Sequence, residues 1–270
     1  MRFVDHEQLM RFADLEPLRE ANLRLKAAVE NERTNVMNEE EAKCSALRTP
    51  LWAVGSAKCW YSEVTLQEGE GHVEHYRPKR RLWGADHDGY WWRALDWRNL
   101  RLAHPTTNKR MTDFITKEKA GKGSYFPLRD GTPRATCEVE EDQEEPVLLD
   151  PTKLADTLLL AFAFDSGAAV PRYDPDTNPW LSRRASDSIG YYHLNDGTWT
   201  KDRHDLMHIV DALCSQIEDV VAHEPRDDAE YDRLINDLAN YIGPFARFSS
   251  ACLQVVRERG LLEHIAGGVI

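Results

Sequence analysis

Long hydrophobic runs are missing from the 270-residue chain, and its start, MRFVDHEQLM, has no apolar stretch of signal-peptide type. No segment approaches the roughly 20 apolar residues of a membrane span, so a soluble, cytoplasmic protein with no membrane partner is expected. Cysteine is scarce too. Cys44, Cys59, Cys137, Cys214 and Cys252 are odd in number and lack the paired spacing of a secreted disulfide scaffold, which points to a reducing compartment. Internal repeats and low-complexity tracts are also absent, and collagen and coiled coil are excluded with them. What is present, 41% hydrophobic and 30% charged residues, is the composition of a globular protein whose core needs no staples.

A net charge of −12 argues against nucleic-acid binding until it is resolved along the chain. Residues 72–129 carry 13 Lys+Arg against 6 Asp+Glu, whereas residues 130–150 carry 1 against 8. The segments on either side are acidic as well. One basic island therefore sits in an acidic protein, and polyanion contact is expected there.

Three regions follow from patterning, and together they make an α+β fold. Residues 1–51 read as helical, with Leu18, Ala21, Leu25 and Val29 at helical spacing and Asn38 with Glu41 as a capping box for a second, short helix. Residues 52–150 hold six of the eight tryptophans in short apolar segments broken by Gly and Pro, which suits a compact, loop-rich unit; within them the acidic stretch 130–146 reads as an exposed linker. Residues 151–270 are expected to be mainly helical after a hairpin formed by 157–164 and 168–170 around Asp165-Ser166-Gly167. Two apolar stripes there, from Leu206 to Val221 and from Tyr231 to Ile242, read as core faces. A last helix is expected to open at Pro244, pack Phe245 and Phe248, and stop at Gly260.

Chemistry-bearing residues concentrate in the basic island: His72-Val73-Glu74-His75-Tyr76-Arg77-Pro78-Lys79, then Asp96-Trp97-Arg98-Asn99-Leu100, then His104-Pro105-Thr106-Thr107-Asn108-Lys109. A carboxylate directly before a histidine can hold a hard divalent cation while the imidazole takes a proton from water. Adjacent strand residues face opposite ways, so a bend is needed to bring both to one site. Each feature alone has a plainer reading: a surface Glu–His pair, an Asn at a turn, a solvated basic face, and a Trp91–Trp92 pair packed in the core. Their order within the one basic region sets them apart.

That order resembles the HNH (ββα-metal) endonucleases, and more closely the Septu-type, PtuB-like HNH proteins that accompany an ATPase in bacterial anti-phage and some retron systems. The resemblance runs from about residue 58 to 205. It is carried by Cys59-Trp60-Tyr61-Ser62-Glu63, the Val73–Lys79 run, Tyr90-Trp91-Trp92, Asp96–Leu100, Asn108-Lys109, Phe126-Pro127-Leu128, Glu144–Pro151, and Ser188–Asn195 with Arg203. It implies a compact ββα-metal unit flanked by helices. His75 would be the general base, Glu74 and Asn108 ligands for Mg2+ or Mn2+, and Asn99 the residue that shapes the loop of the site. Arg77, Lys79, Arg80, Arg81 and Lys109 would face nucleic acid, most readily DNA. The resemblance further implies a hetero-oligomer with a PtuA-like ATPase.

Proteins of this type usually carry two CxxC pairs that hold a structural zinc. Here they read Cys59-x-x-Ser62 and His104-x-x-Thr107, and hydroxyls are poor zinc ligands. Loss of the zinc, with packing around Trp60 in its place, is the expectation; the rival is a remodelled zinc site using Cys59, His104 and His72. Three functions compete: a metal-dependent nuclease for DNA or for RNA or tRNA, a catalytically inactive HNH subunit serving as an interaction module, and a stand-alone zinc-binding module.

Overall fold

After a 3-10 helix at His6–Arg11, the first α-helix begins where Pro17 can occupy a first turn that needs no N–H from it. In a computed structural model, which describes residues 1–108, 111–112 and 119–265, helix α1 spans Glu16–Ala27 and buries Leu18, Ala21 and Leu25. Val29 falls outside that stripe and is exposed, because the backbone turns extended at Ala28. Helix α2 (Glu30–Ala46) runs straight through the expected cap at Asn38. The Asn38 side chain instead accepts a hydrogen bond from the Arg80 guanidinium at 2.7 Å, so its polarity serves a tertiary contact rather than a helix start. Helix α3 spans Arg48–Val54.

Strand β1 (His72–His75) pairs antiparallel with β2 (Leu100–Ala103), setting Glu74 opposite Arg101 and His75 opposite Leu100. The four-residue helix α4 (Pro105–Asn108) follows β2 directly, so two strands and a helical turn form one unit. Strands β3 (Met111–Thr112) and β4 (Lys119–Ala120) make a second small antiparallel pair. Helix α5 (Leu154–Thr157) takes the first residue of the expected hairpin, which is otherwise present as β5 (Leu160–Phe162) and β6 (Ala169–Pro171). Gly167 in its turn has φ 67°, and a Cβ there would lie 2.2 Å from the Thr200 carbonyl oxygen, so only glycine fits.

Four helices complete the chain: α6 (Pro179–Tyr191), α7 (Gly197–Ala222), α8 (Asp228–Ile242) and α9 (Ser249–Glu258). The stripes on α7 and α8 bury Val210, Ile217, Leu234 and Leu238, while Ile209 and Val221 lie on the solvent side. Helix α9 opens five residues beyond Pro244, because Phe248 adopts a left-handed φ of 54° that no continuing helix allows, and Phe245 is exposed. Gly260, at φ 73°, ends it as expected.

The fold is mixed α+β. One continuous core draws Leu25 and Leu51, Trp60 and Leu100, and Val210 and Val256 together from all three regions. A smaller aromatic cluster of Tyr76, Tyr90, Trp92 and Phe126 lies under the basic island, so Trp92 packs as a core residue. Among the described residues no helix is long and apolar enough to cross a membrane.

The acidic stretch after the island is not an exposed linker. Residues Glu138–Gln143 form a 3-10 turn that presses Glu141 and Glu144 into the protein. Glu144 takes the Arg77 guanidinium at 2.6 Å and the Tyr90 hydroxyl at 2.7 Å, and Glu141 takes Arg93 at 2.9 Å. A run poor in aliphatic residues is held down here by buried ion pairs, which apolar patterning does not register.

Candidate active site

The chain bends at Tyr76 and Arg77, just beyond Glu74 and His75, the last two residues of β1. Both line one cavity of about 350 Å³, and Asn108 at the end of α4 lines it from the other side. Helix α2 contributes a wall through Glu41 and Cys44, and Lys79 and Arg80 stand at its edge. The three residues expected to act together thus border a single space.

His75 is half-buried, and its Nε2 lies 2.8 Å from the Ala94 carbonyl oxygen. A carbonyl only accepts, so Nε2 carries the proton and Nδ1 keeps its lone pair. Burial, reinforced by the nearby Lys79 ammonium, lowers the imidazole pKa from 6.5 to about 3. The ring is therefore neutral at physiological pH and able to accept a proton. Cys44 also points at the Ala94 carbonyl, 3.6 Å away, and burial pushes its thiol up to about 11, so it offers no thiolate.

Asn99 lies outside this cavity and holds its frame. The side-chain Oδ1 accepts the Arg77 backbone N–H at 2.8 Å, and Nδ2 donates to the carbonyls of Arg77 (2.9 Å) and Arg93 (3.1 Å). Arg77 is two residues beyond His75, and Arg93 immediately precedes the Ala94 that orients the imidazole. One buried amide therefore clamps both supports of the candidate base.

Glu74 is not an open ligand. Its Oε2 accepts from the Tyr61 hydroxyl at 2.7 Å, and its Oε1 is ion-paired with the Lys122 ammonium, which also donates to the His75 carbonyl at 2.6 Å. Both partners are buried, with 3% and 1% of their side chains exposed. Lys122 carries no recognisable motif, and the sequence reading missed it; a lysine within a few residues of two glycines beside an aromatic run is not a signal that periodicity can isolate.

The basic residues divide sharply. Arg77 is drawn inward by Glu141 and Glu144, which corrects its expected place on a nucleic-acid face. Lys79 pairs with Glu41 at 2.8 Å, and Arg81 pairs with Asp86 and Asp88 at the surface. Arg80 is paired with no carboxylate among the described residues, and its guanidinium donates instead to neutral Asn38. Lys109 lies outside the described residues.

The degenerate zinc positions do come together. The Cys59 sulfur lies 3.7 Å from the Thr107 hydroxyl and accepts the Ser62 backbone N–H at 3.5 Å. The Thr107 hydroxyl donates to the His104 carbonyl at 2.7 Å, and His104 Nδ1 accepts from the Thr106 N–H. Hydrogen bonds thus join the two loops where the resemblance places thiolates. Trp60 is buried beside them, and its indole N–H donates to the Leu51 carbonyl at 3.2 Å. Among the described residues no group of three or more His, Cys, Asp or Glu is placed to hold a metal ion.

The site and fold define a small two-strand-plus-helix unit carrying a Glu–His pair inside an α+β protein. This chain is similar to the Septu protein PtuB of Bacillus mycoides (strain KBAB4), with 31% identity over 121 residues. That alignment takes in 42% of this chain and 37% of the relative, so it spans little more than a third of the curated protein. No family model matches the chain, and no solved structure does.

Proposed function

We propose that the chain is an HNH-type endonuclease that hydrolyses nucleic-acid phosphodiesters, DNA above all, as the effector of an anti-phage defence system, in complex with an ATPase. The observation that carries the chemistry is the His75 geometry: a neutral imidazole with Nε2–H fixed on Ala94 and no partner for Nδ1 among the described residues, bordering a cavity shared with Glu74 and Asn108. The similarity to a Septu protein PtuB supports the defence setting.

The cavity has the charge of an anion site. Among the described residues Glu41 and Lys79 cancel, Glu74 and Lys122 cancel, and Arg80 is left over. A phosphodiester entering it meets one net positive charge, with Lys79 and Arg80 at the edge. His75 Nδ1 then takes a proton from the attacking water while Nε2–H stays on Ala94. The imidazolium so formed is disfavoured in this buried setting, and the phosphate itself supplies the negative charge that offsets it. A neighbouring cavity of about 560 Å³ shares Lys79 and Arg80 as walls and holds Trp91 with Arg33 stacked 3.7 Å over its ring, which gives the strand a path away from the cut.

As arranged, the residues do not fit a divalent ion. The Glu74 carboxylate is already matched by Lys122 and Tyr61, and the Mg2+ or Mn2+ expected from the resemblance would find no uncompensated carboxylate among the described residues there. The same pairing favours a second reading, a catalytically silent subunit. Nicking of supercoiled plasmid by the chain purified with its ATPase separates the two: cutting that is lost in His75→Ala upholds the nuclease, and no cutting by the wild-type complex with either metal leaves the silent subunit.

A further inference from the structure

Lys122 stands where the pocket's own cation belongs. Its ammonium is 1% exposed, and it is anchored on the two residues most concerned with the site: the Glu74 carboxylate and the His75 carbonyl. A buried ammonium persists only with such partners, since an unpaired charge in the interior is strongly disfavoured. Burial is the larger influence and leaves the Lys122 pKa below its ordinary value, with the Glu74 carboxylate opposing that shift.

The second oxygen of Glu74 carries the Tyr61 hydroxyl, whose ring stacks on Tyr192 at 4.2 Å, so the carboxylate is fixed from both sides. A dication approaching it would meet the Lys122 charge at close range, and its attraction to one carboxylate would be largely offset by repulsion. Among the described residues the other carboxylate on the cavity wall, Glu41, is likewise matched by Lys79.

We infer that Lys122 is the resident cation of this pocket, and that its ammonium and a divalent metal ion exclude one another at Glu74. Lys122 does not line the cavity, so it is a positioning residue: it holds the Glu74 carboxylate and the carbonyl of His75 in place of a metal. This goes beyond the nuclease reading and holds whether or not the pocket cuts.

Titration of the full chain with Mn2+, followed by loss of the free-ion electron paramagnetic resonance signal, tests it without reference to activity. Wild-type protein should show no Glu74-dependent site tighter than about 1 mM, the weak end of protein cation sites. Removing the ammonium in Lys122→Met should create a site roughly tenfold tighter or more, and adding Glu74→Gln should abolish it. Lys122→Gln, which retains a hydrogen-bond donor for both partners, repeats the test if the methionine variant misfolds. An unchanged affinity in a folded Lys122 variant overturns the inference. So does a submillimolar site in wild-type protein that disappears in Glu74→Gln, and that arm needs no lysine variant. Plasmid cutting that depends on His75 stands or falls separately.

Discussion

Replacing Asn99 by alanine removes one side chain and breaks the link between both supports of His75. Three hydrogen bonds disappear, to the Arg77 N–H, the Arg77 carbonyl and the Arg93 carbonyl, all from an amide that is 5% exposed. At about 1 kcal/mol net for each, with the orphaned backbone groups only partly reachable by water, the loss is about 3 kcal/mol. That is a large share of the 5–15 kcal/mol by which a typical domain is stable, yet small enough to leave Asn99→Ala folded and measurable. Urea unfolding at pH 7.5 reads it directly. Asn99→Asp keeps the acceptor for Arg77 but sets a carboxylate oxygen against two carbonyls, and should be at least as damaging. The Ala94 carbonyl lies one residue beyond the freed Arg93, so cleavage should also fall, about 10- to 100-fold, as His75 loses its orientation. A folded Asn99→Ala protein within 1 kcal/mol of wild type, cutting at the wild-type rate, would refute this reasoning.

Acidification should destabilise the protein through two histidines. Burial holds both His6 and His75 near pKa 3 against an ordinary 6.5, so below pH 6.5 the unfolded chain binds protons that the folded chain does not. Stability is thus lost as pH falls, by about 1.4 kcal/mol per histidine at pH 5.5, and the His6→Asn/His75→Asn double variant should flatten the difference between urea midpoints at pH 7.5 and 5.5. Asp150→Asn strands the Arg101 guanidinium, which is paired at 2.9 and 2.8 Å with both partners 3% exposed, and should cost about 3–5 kcal/mol in thermal or urea unfolding. Arg80→Gln should weaken oligonucleotide binding at every sequence and lower the slope of log affinity against log salt by about one, whereas Arg77→Gln should chiefly lower stability.

Residue type and order marked the candidate site more clearly than they marked what holds it in place. The Glu74–His75 pair, Asn99 and Asn108 stood out by residue type and order, and the strands and helical turn bring Glu74, His75 and Asn108 to one cavity with Asn99 clamped behind it. Helical stripes around Leu25, Val210 and Leu238 were legible because burial repeats with the helix. The acidic segment was not, since Glu141 and Glu144 are buried by Arg77, Arg93 and Tyr90, partners about 50 to 70 residues away in the chain that composition cannot pair. Asn38 read as a cap because local pattern ignores Arg80. Lys122 was invisible for the same reason: its meaning lies wholly in a tertiary ion pair.

The central claim is that His75 is the base, and chemical rescue tests it most directly. With the ATPase partner present, His75→Ala should cut a labelled duplex about 10²- to 10⁴-fold more slowly than wild type, and added imidazole should restore part of the rate as its neutral form increases with pH. Cutting by His75→Ala at the wild-type rate, with no response to imidazole, would contradict the account.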